Sequence, residues 1–214
     1  MTYDAVLFDF DGVIVETPSP SALYEALSRA CDAFGGAAPT GETVRAVIAG
    51  DFDGIAARCR RLGVDTDDFC AAAAREMVRT QLEEVERGLR SAYDDVSAIR
   101  SLEAARGIVS DNHPAVVTSL LGRFGVDSLF ETVYGCPLTP EGLERRKPSP
   151  ANIEAAMADL DAESALYVGD RAVDVRAADN AGIDSAFLER EGCEEVRAAT
   201  YRVTSLRELP AIVG

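Results

Sequence analysis

A run of four apolar residues, Ala5-Val6-Leu7-Phe8, leads directly into Asp9-Phe10-Asp11-Gly12, and no other stretch constrains the fold of this chain as strongly. A short run without a polar residue suits a strand buried on both faces of a parallel sheet. In open parallel sheets, ligands bind beyond the carboxyl ends of the strands. Side chains two residues apart along a strand point the same way, so Asp9 and Asp11 are expected to address one site. Two neighbouring carboxylates repel unless a cation or a shared proton relieves them. The pair therefore suggests a metal site, or a nucleophile beside an acid–base partner. The same residues also read as a polar turn closing an ordinary strand, with both acids in water. This stretch alone leaves both readings open.

The rest of the chain alternates apolar runs with helical patterns. Residues 108–110, 130–134, 165–169, 185–188 and 201–203 read as strands. Helices are expected over 96–99, 114–124, 151–160, 171–181 and 206–212, with Gly182 as a stop signal. Residues 136–150, with Pro137, Pro140, Gly142, Pro148 and Pro150, read as a loop. This order predicts an α/β fold: a doubly wound parallel sheet with helices on both faces. One block interrupts it. After Pro18 and Pro20, the pattern over residues 21–89 is helical, with a loop at 35–41 and a break at 50–54. The longest helix, 66–85, sets Phe69, Ala72, Ala73, Met77 and Leu82 near one face. The block reads as an insertion. Residues 1–15 and 91–214 are thus expected to form a core domain, and residues 16–90 a small α-helical domain.

Charge narrows the partners. There are 37 acidic against 21 basic residues, a net −16, and Lys147 is the only lysine. An acid-rich, lysine-poor composition resembles cytoplasmic proteins of salt-loving organisms, whose surfaces stay hydrated while salt screens their repulsion. An acidic protein from a GC-rich genome shows the same bias. Either way a phosphate backbone would be repelled, so nucleic acid is not an expected partner. No apolar run approaches the roughly 18 residues of a membrane helix and no charged-then-apolar signal leads the chain, so no membrane association is expected. Cys31, Cys59, Cys70, Cys136 and Cys193 are scattered without a Cys-x-x-Cys pair. That argues against structural zinc and a disulfide framework, and fits a reducing cytoplasm. Oligomeric state has no sequence signal here.

Four strand ends carry polar groups of complementary kinds. Asp9 and Asp11 end the first, and Ser110 ends the second with Asp111 and Asn112 beside it. Lys147 stands in Arg145-Arg146-Lys147-Pro148-Ser149-Pro150, and Asp170 follows Gly169 with Asp174 four residues on, near a helix start. Phosphoryl transfer needs this inventory: a nucleophile, a proton donor, donors for equatorial oxygens, and cations that let an anion approach. Lys147 carries separate weight. Where arginine fills every generic cationic position, one retained lysine points to a site that needs a compact ammonium.

In this order, the residues resemble the haloacid dehalogenase-like superfamily of phosphohydrolases over nearly the whole chain outside the helical block. The resemblance implies that Asp9 is the nucleophile and forms an aspartyl-phosphate. Asp11 would protonate the leaving alcohol and then deprotonate the attacking water. Ser110 would hydrogen-bond a phosphoryl oxygen, helped by the neighbouring backbone at Asp111 and Asn112, and Lys147 would hold Asp9 and the phosphate. Mg²⁺ would be coordinated by Asp9, the Asp11 carbonyl and Asp170, with Asp174 in or next to its coordination sphere. A hard divalent ion also relieves the mutual repulsion of these acids.

Some positions depart from the family pattern. Asp111 stands where an asparagine commonly follows the Ser or Thr, and its extra carboxylate would weaken phosphate affinity unless it turns away. Glu16-Thr17 replaces a frequent Asp-Ser. His113 is expected near a helix start. Arg45, Arg58, Arg60 and Arg61 read as solvated partners of nearby acids, or as contacts for a substrate anion.

Under the same resemblance, the inserted helices are a cap that closes over the site and excludes water, which implies a small phosphorylated metabolite as substrate. Dehalogenases of the family lack the second aspartate, present here as Asp11. Phosphonate hydrolases use a cap lysine, and residues 21–89 contain none. The leading expectation is a Mg²⁺-dependent phosphatase of small phosphate monoesters, such as phosphoglycolate or a sugar phosphate. A phosphomutase of the β-phosphoglucomutase type shares the cap and the aspartate pair. A non-enzymatic, receiver-like module would be shorter and would lack a lid of about 70 residues.

Overall fold

The computed structural model describes residues 2–36, 38–190, 196 and 198–214. Its sheet has six strands: β1 (Ala5–Phe8), β2 (Ala105–Val109), β3 (Thr132–Tyr134), β4 (Ala165–Gly169), β5 (Asp184–Leu188) and β6 (Tyr201–Val203). Their order is β3-β2-β1-β4-β5-β6, and every pairing is parallel. β1 and β4 are buried at every residue, which is why both run without polar alternation, the Tyr167 hydroxyl of β4 being the one polar side-chain group. The chain runs from β1 to β2 and β3 on one side, then crosses back to β4, β5 and β6 on the other. The reversal at β1 opens a crevice of the kind in which doubly wound sheets bind ligands. Phe8 is in register with Ile108 and with Val168, so Asp9, Ser110 and Asp170 leave the sheet at one edge.

Four α-helices separate β1 from β2: α1 (Ala22–Asp32), α2 (Gly41–Ala49), α3 (Phe52–Leu62) and α4 (Thr66–Glu86). The break expected at 50–54 is only a two-residue joint. Gly50 closes α2 in the left-handed region at φ 70°, and the Asp51 carboxylate caps α3 by accepting the Gly54 N–H at 2.9 Å. Asp65 caps α4 in the same way. α4 packs on α1 and on α5 (Pro114–Phe124). One apolar cluster therefore runs from Phe8 and Ile108 through Val117 and Leu120 to Leu27, Phe69 and Met77.

Several local expectations are corrected. The proline-rich stretch 136–150 contains a short helix, α6 (Pro140–Glu144). Pro140 sits in its first turn, where no N–H is needed, and the Thr139 hydroxyl caps Gly142. The helix expected at 96–99 is a 3₁₀ segment, Val96–Ser101, and the closing helix starts as 3₁₀ before α9 (Leu209–Val213). α7 (Ala151–Asp159) and α8 (Ala172–Ala181) lie where expected. β2 stops at Val109, one residue short of Ser110, and β3 begins at Thr132. Cys31, Cys59, Cys70 and Cys136 are buried free thiols, while Cys193 lies outside the described residues. Among the described residues, no helix is long and apolar enough to cross a membrane.

Candidate active site

Asp9 lies one residue beyond β1, and its N–H donates to the Val168 carbonyl at 2.8 Å. That bond continues the ladder and fixes where the carboxylate emerges. Lys147 Nζ is 2.8 Å from Asp9 Oδ1 and 2.6 Å from Asp174 Oδ1. It also donates to the Tyr167 hydroxyl at 3.1 Å, and that hydroxyl donates in turn to the Val109 carbonyl at 2.8 Å. The Lys147, Asp9 and Asp174 side chains are only 4%, 7% and 1% exposed, so the ammonium lies buried between two carboxylates. Burial would lower the lysine pKa, but Asp174 and Asp9 outweigh it and hold the ammonium well above its ordinary range. Burial raises the Asp9 carboxyl well above the usual carboxylate value despite Lys147. Two acids share one cation, so the protons belong to the cluster rather than to either residue.

Asp170 extends the cluster. Carboxylate oxygens of Asp9, Asp170 and Asp174 lie within 4.8 Å of one another. Asp170 Oδ1 is buried without a hydrogen-bond partner, and burial together with the Asp174 charge pushes this carboxyl up to about 6. Gly12, at φ 86°, leaves the room: a Cβ there would come within 2.1 Å of Asp170 Oδ2. A donor set made only of carboxylate oxygens, one of them orphaned, suits a hard divalent cation such as Mg²⁺.

Asp11 departs from the expected arrangement. β1 ends at Phe8, so the alternation of strand side chains does not extend to Asp9 and Asp11. The Asp11 carboxylate points to Arg90, which is 1% exposed, and pairs with it. Arg90 also bonds Gln81 of α4 and donates Nε–H to the Glu16 carbonyl at 2.6 Å. Asn112 Nδ2 donates to the second Asp11 oxygen at 2.9 Å. Burial raises the Asp11 carboxyl against the pull of Arg90 and Asn112. Its side chain stands outside the group formed by Asp9, Asp170 and Asp174, which leaves its main-chain carbonyl for any ligand role.

Ser110 is 2% exposed, and its Oγ accepts the Asn112 N–H at 3.1 Å. Asp111 turns into the loop that carries Lys147, accepting the Lys147 main-chain N–H at 2.9 Å. His113 caps α5: its Nδ1 accepts the Ala115 N–H at 3.2 Å, and burial lowers its pKa. A cavity of about 260 Å³ is lined on one side by Asp11, Asp111, Asn112 and His113, and on the other by Leu23, Val47, Ile48 and Met77 of the inserted helices. Asp9 and Ser110 do not form part of its wall. Arg45, Arg58 and Arg61 line a separate depression between α2 and α3.

Arg90, Gln81 and Tyr167 escape sequence reasoning. Arg90 is one of 20 arginines and follows a helix end, with nothing local to mark it. Tyr167 carried a faint signal, as the one hydroxyl in an otherwise apolar strand.

Residues 6–188 match the family model described as haloacid dehalogenase-like hydrolase. The chain belongs to that family. Among relatives of this haloacid dehalogenase-like hydrolase, phosphoglycolate phosphatase of Cereibacter sphaeroides is 30% identical over 213 residues, covering 96% of this chain and 89% of the relative. A D-glycero-alpha-D-manno-heptose-1,7-bisphosphate 7-phosphatase of Photorhabdus laumondii is 32% identical over 114 residues, 47% of this chain and 61% of that protein. CbbY from Rhodobacter sphaeroides, in complex with xylulose-(1,5)bisphosphate, superposes with a TM-score of 0.72 at 20% identity, over 97% of this chain and 96% of that one. A 2-haloacid dehalogenase from Pseudomonas syringae superposes at 0.67 and 17% identity, over 99% and 98%, so the fold alone does not select the chemistry. The curated relatives do: this haloacid dehalogenase-like hydrolase is an enzyme acting on phosphoric monoesters.

Proposed function

We propose that the chain is a Mg²⁺-dependent phosphatase of small phosphate monoesters that works through an aspartyl-phosphate on Asp9. The observation that carries this reading is the buried ammonium of Lys147 between Asp9 and Asp174, beside the orphaned oxygen of Asp170. In the first displacement, an Asp9 oxygen bonds to phosphorus while the ester P–O bond breaks, and Asp11 passes its proton to the departing alkoxide. In the second, Asp11 takes a proton from water, the resulting hydroxide bonds to phosphorus, and the Asp9–phosphorus bond breaks to release inorganic phosphate. The raised pKa of Asp11 favours the protonated form that the first displacement needs. Lys147 orients Asp9 and offsets phosphoryl charge, and the Ser110 hydroxyl with the Asp111 amide donates to phosphoryl oxygens, while the Asn112 N–H holds the Ser110 hydroxyl in place. The Asp9, Asp170 and Asp174 carboxylates, with the Asp11 carbonyl, would hold Mg²⁺. When bound, the ion supplies positive charge against the negative oxygens of the phosphoryl group.

Residues 16–90 act as a cap domain over this site. The cavity supports that role, because α1, α2 and α4 supply one wall and the sheet edge the other. A cavity of about 260 Å³ between the sheet edge and these helices suits a small phosphorylated metabolite. We read the acid-rich composition as an adaptation to concentrated salt in the cytoplasm.

The test is Asp9→Asn. The variant should keep its circular dichroism spectrum and lose p-nitrophenyl phosphatase activity in Mg²⁺ by at least about a thousandfold, since the covalent step has no other nucleophile. Substantial residual turnover would end the covalent scheme.

A further inference from the structure

The cavity holds positive charge that the proposed chemistry leaves unused. Arg146 and Arg171 both line it, and among the described residues neither forms an ion pair. Arg171 is exposed, but Arg146 is partly buried, and with 37 acidic residues available a guanidinium kept from them there is costly unless something else answers it. The carboxylates on the same wall are engaged elsewhere. Asp11 is held by Arg90 and Asn112, and Asp111 accepts the main-chain N–H of Lys147. Arg171 adjoins Asp170 and so belongs to the phosphoryl end. Arg146 is placed differently. Its Nη1 donates to the Val47 carbonyl at 3.0 Å and the Ile48 carbonyl at 2.8 Å, at the last turn of α2. Among the described residues its Nη2 and Nε make no hydrogen bond, and those two atoms form one edge of the guanidinium fork, the geometry that takes a carboxylate or phosphate through two parallel bonds. The inserted helices around it contribute only apolar side chains and Gln81 to the cavity, and no cation.

We propose that Arg146 determines specificity by receiving a second anionic group on the alcohol portion of the substrate. The substrate class is then a small phosphate monoester that also bears a carboxylate or a second phosphate. This rests on the phosphatase reading and narrows it. Because the same guanidinium holds the end of α2, one side chain senses both the substrate's second charge and the wall that the inserted helices supply.

The experiment compares kcat/KM in Mg²⁺ for 2-phosphoglycolate, propane-1,3-diol bisphosphate and the neutral-tailed 2-hydroxyethyl phosphate, with p-nitrophenyl phosphate as a general reporter. The wild-type enzyme should favour at least one of the two doubly anionic esters over 2-hydroxyethyl phosphate by about tenfold or more, and the preferred one tells carboxylate from phosphate. Arg146→Gln keeps an N–H donor for the α2 carbonyls but has no charge, so the preference should fall about 10- to 100-fold. Arg146→Lys should restore part of it. A wild-type preference near one, or a preference unchanged in Arg146→Gln while all rates fall together, would overturn the assignment and leave Arg146 a tether of α2. Turnover of p-nitrophenyl phosphate alongside either result shows that the phosphatase reading stands. No turnover of any ester would overturn the phosphatase reading itself.

Discussion

Replacing Lys147 with methionine deletes one charge and keeps an unbranched side chain of similar length. In the wild type that charge lies 2.8 Å from Asp9 and 2.6 Å from Asp174, with the two carboxylate side chains 7% and 1% exposed. Removing one partner of a buried ion pair leaves the other uncompensated, at a cost of about 3–5 kcal/mol. For a chain of this size each kcal/mol lowers Tm by about 2–4 °C, which predicts a loss of roughly 6–20 °C near pH 8. The pH dependence carries the sharper information. The Asp9 pKa is already above its unfolded value and rises further once the ammonium is gone. An acid with a raised folded pKa stabilises the fold below its unfolded pKa and loses that contribution as pH climbs toward the folded value. Lys147, raised above its unfolded value, contributes fully at any pH below that value, so the wild type keeps its own term between pH 5 and 8. The deficit of the variant should therefore be small near pH 5 and largest near pH 8. Thermal scans of both proteins in EDTA measure it. A loss under about 2 °C at pH 8, or a deficit independent of pH, would refute the picture of two buried acids sharing one cation.

Gly12→Ala forces a side chain into the left-handed region and sets its Cβ 2.1 Å from Asp170 Oδ2. Mg²⁺ affinity by calorimetry should drop at least about tenfold with a stability loss of about 1 kcal/mol or more, and unchanged values of both would contradict the packing. In the wild type, burial and the Asp174 charge push the Asp170 carboxyl up to about 6, and a cation needs it ionised. Mg²⁺ affinity should then hold above that pH and weaken by up to about tenfold per unit below it, whereas a flat profile from pH 5 to 7.5 would remove Asp170 from the ligand set. If the net charge of −16 is a salt adaptation, Tm should rise as KCl goes from about 0.1 M to molar levels, and a flat or falling Tm would count against it.

The resemblance of the motifs to one family, and the family itself, were open to reading because three motifs follow strand ends that chain order alone exposes, and the fourth holds the only lysine, although that lysine follows α6 rather than a strand. The inserted helices were legible too, as a block where the strand signal stops. Less was legible wherever a side chain's direction depends on what lies across from it. The turn after Phe8 sends Asp9 to Lys147 and Asp11 to Arg90, although the spacing of the two aspartates suggested a common direction. Helix α6 hid behind two prolines and a glycine, because the cap that starts it is a single threonine hydroxyl.

By itself, the amino-acid order determined the parallel sheet, since Ala5–Phe8 and Ala165–Gly169 are apolar enough to be stable only when covered on both faces. It also singled out Lys147, because no other lysine survives in the chain. Only the tertiary structure decided that Arg90, 79 positions from Asp11, lies against it, and that Arg146 reaches across to the end of α2. The reason is physical: an arginine's partner is set by which elements pack together, and packing of distant segments leaves no periodic trace in the local order of residues.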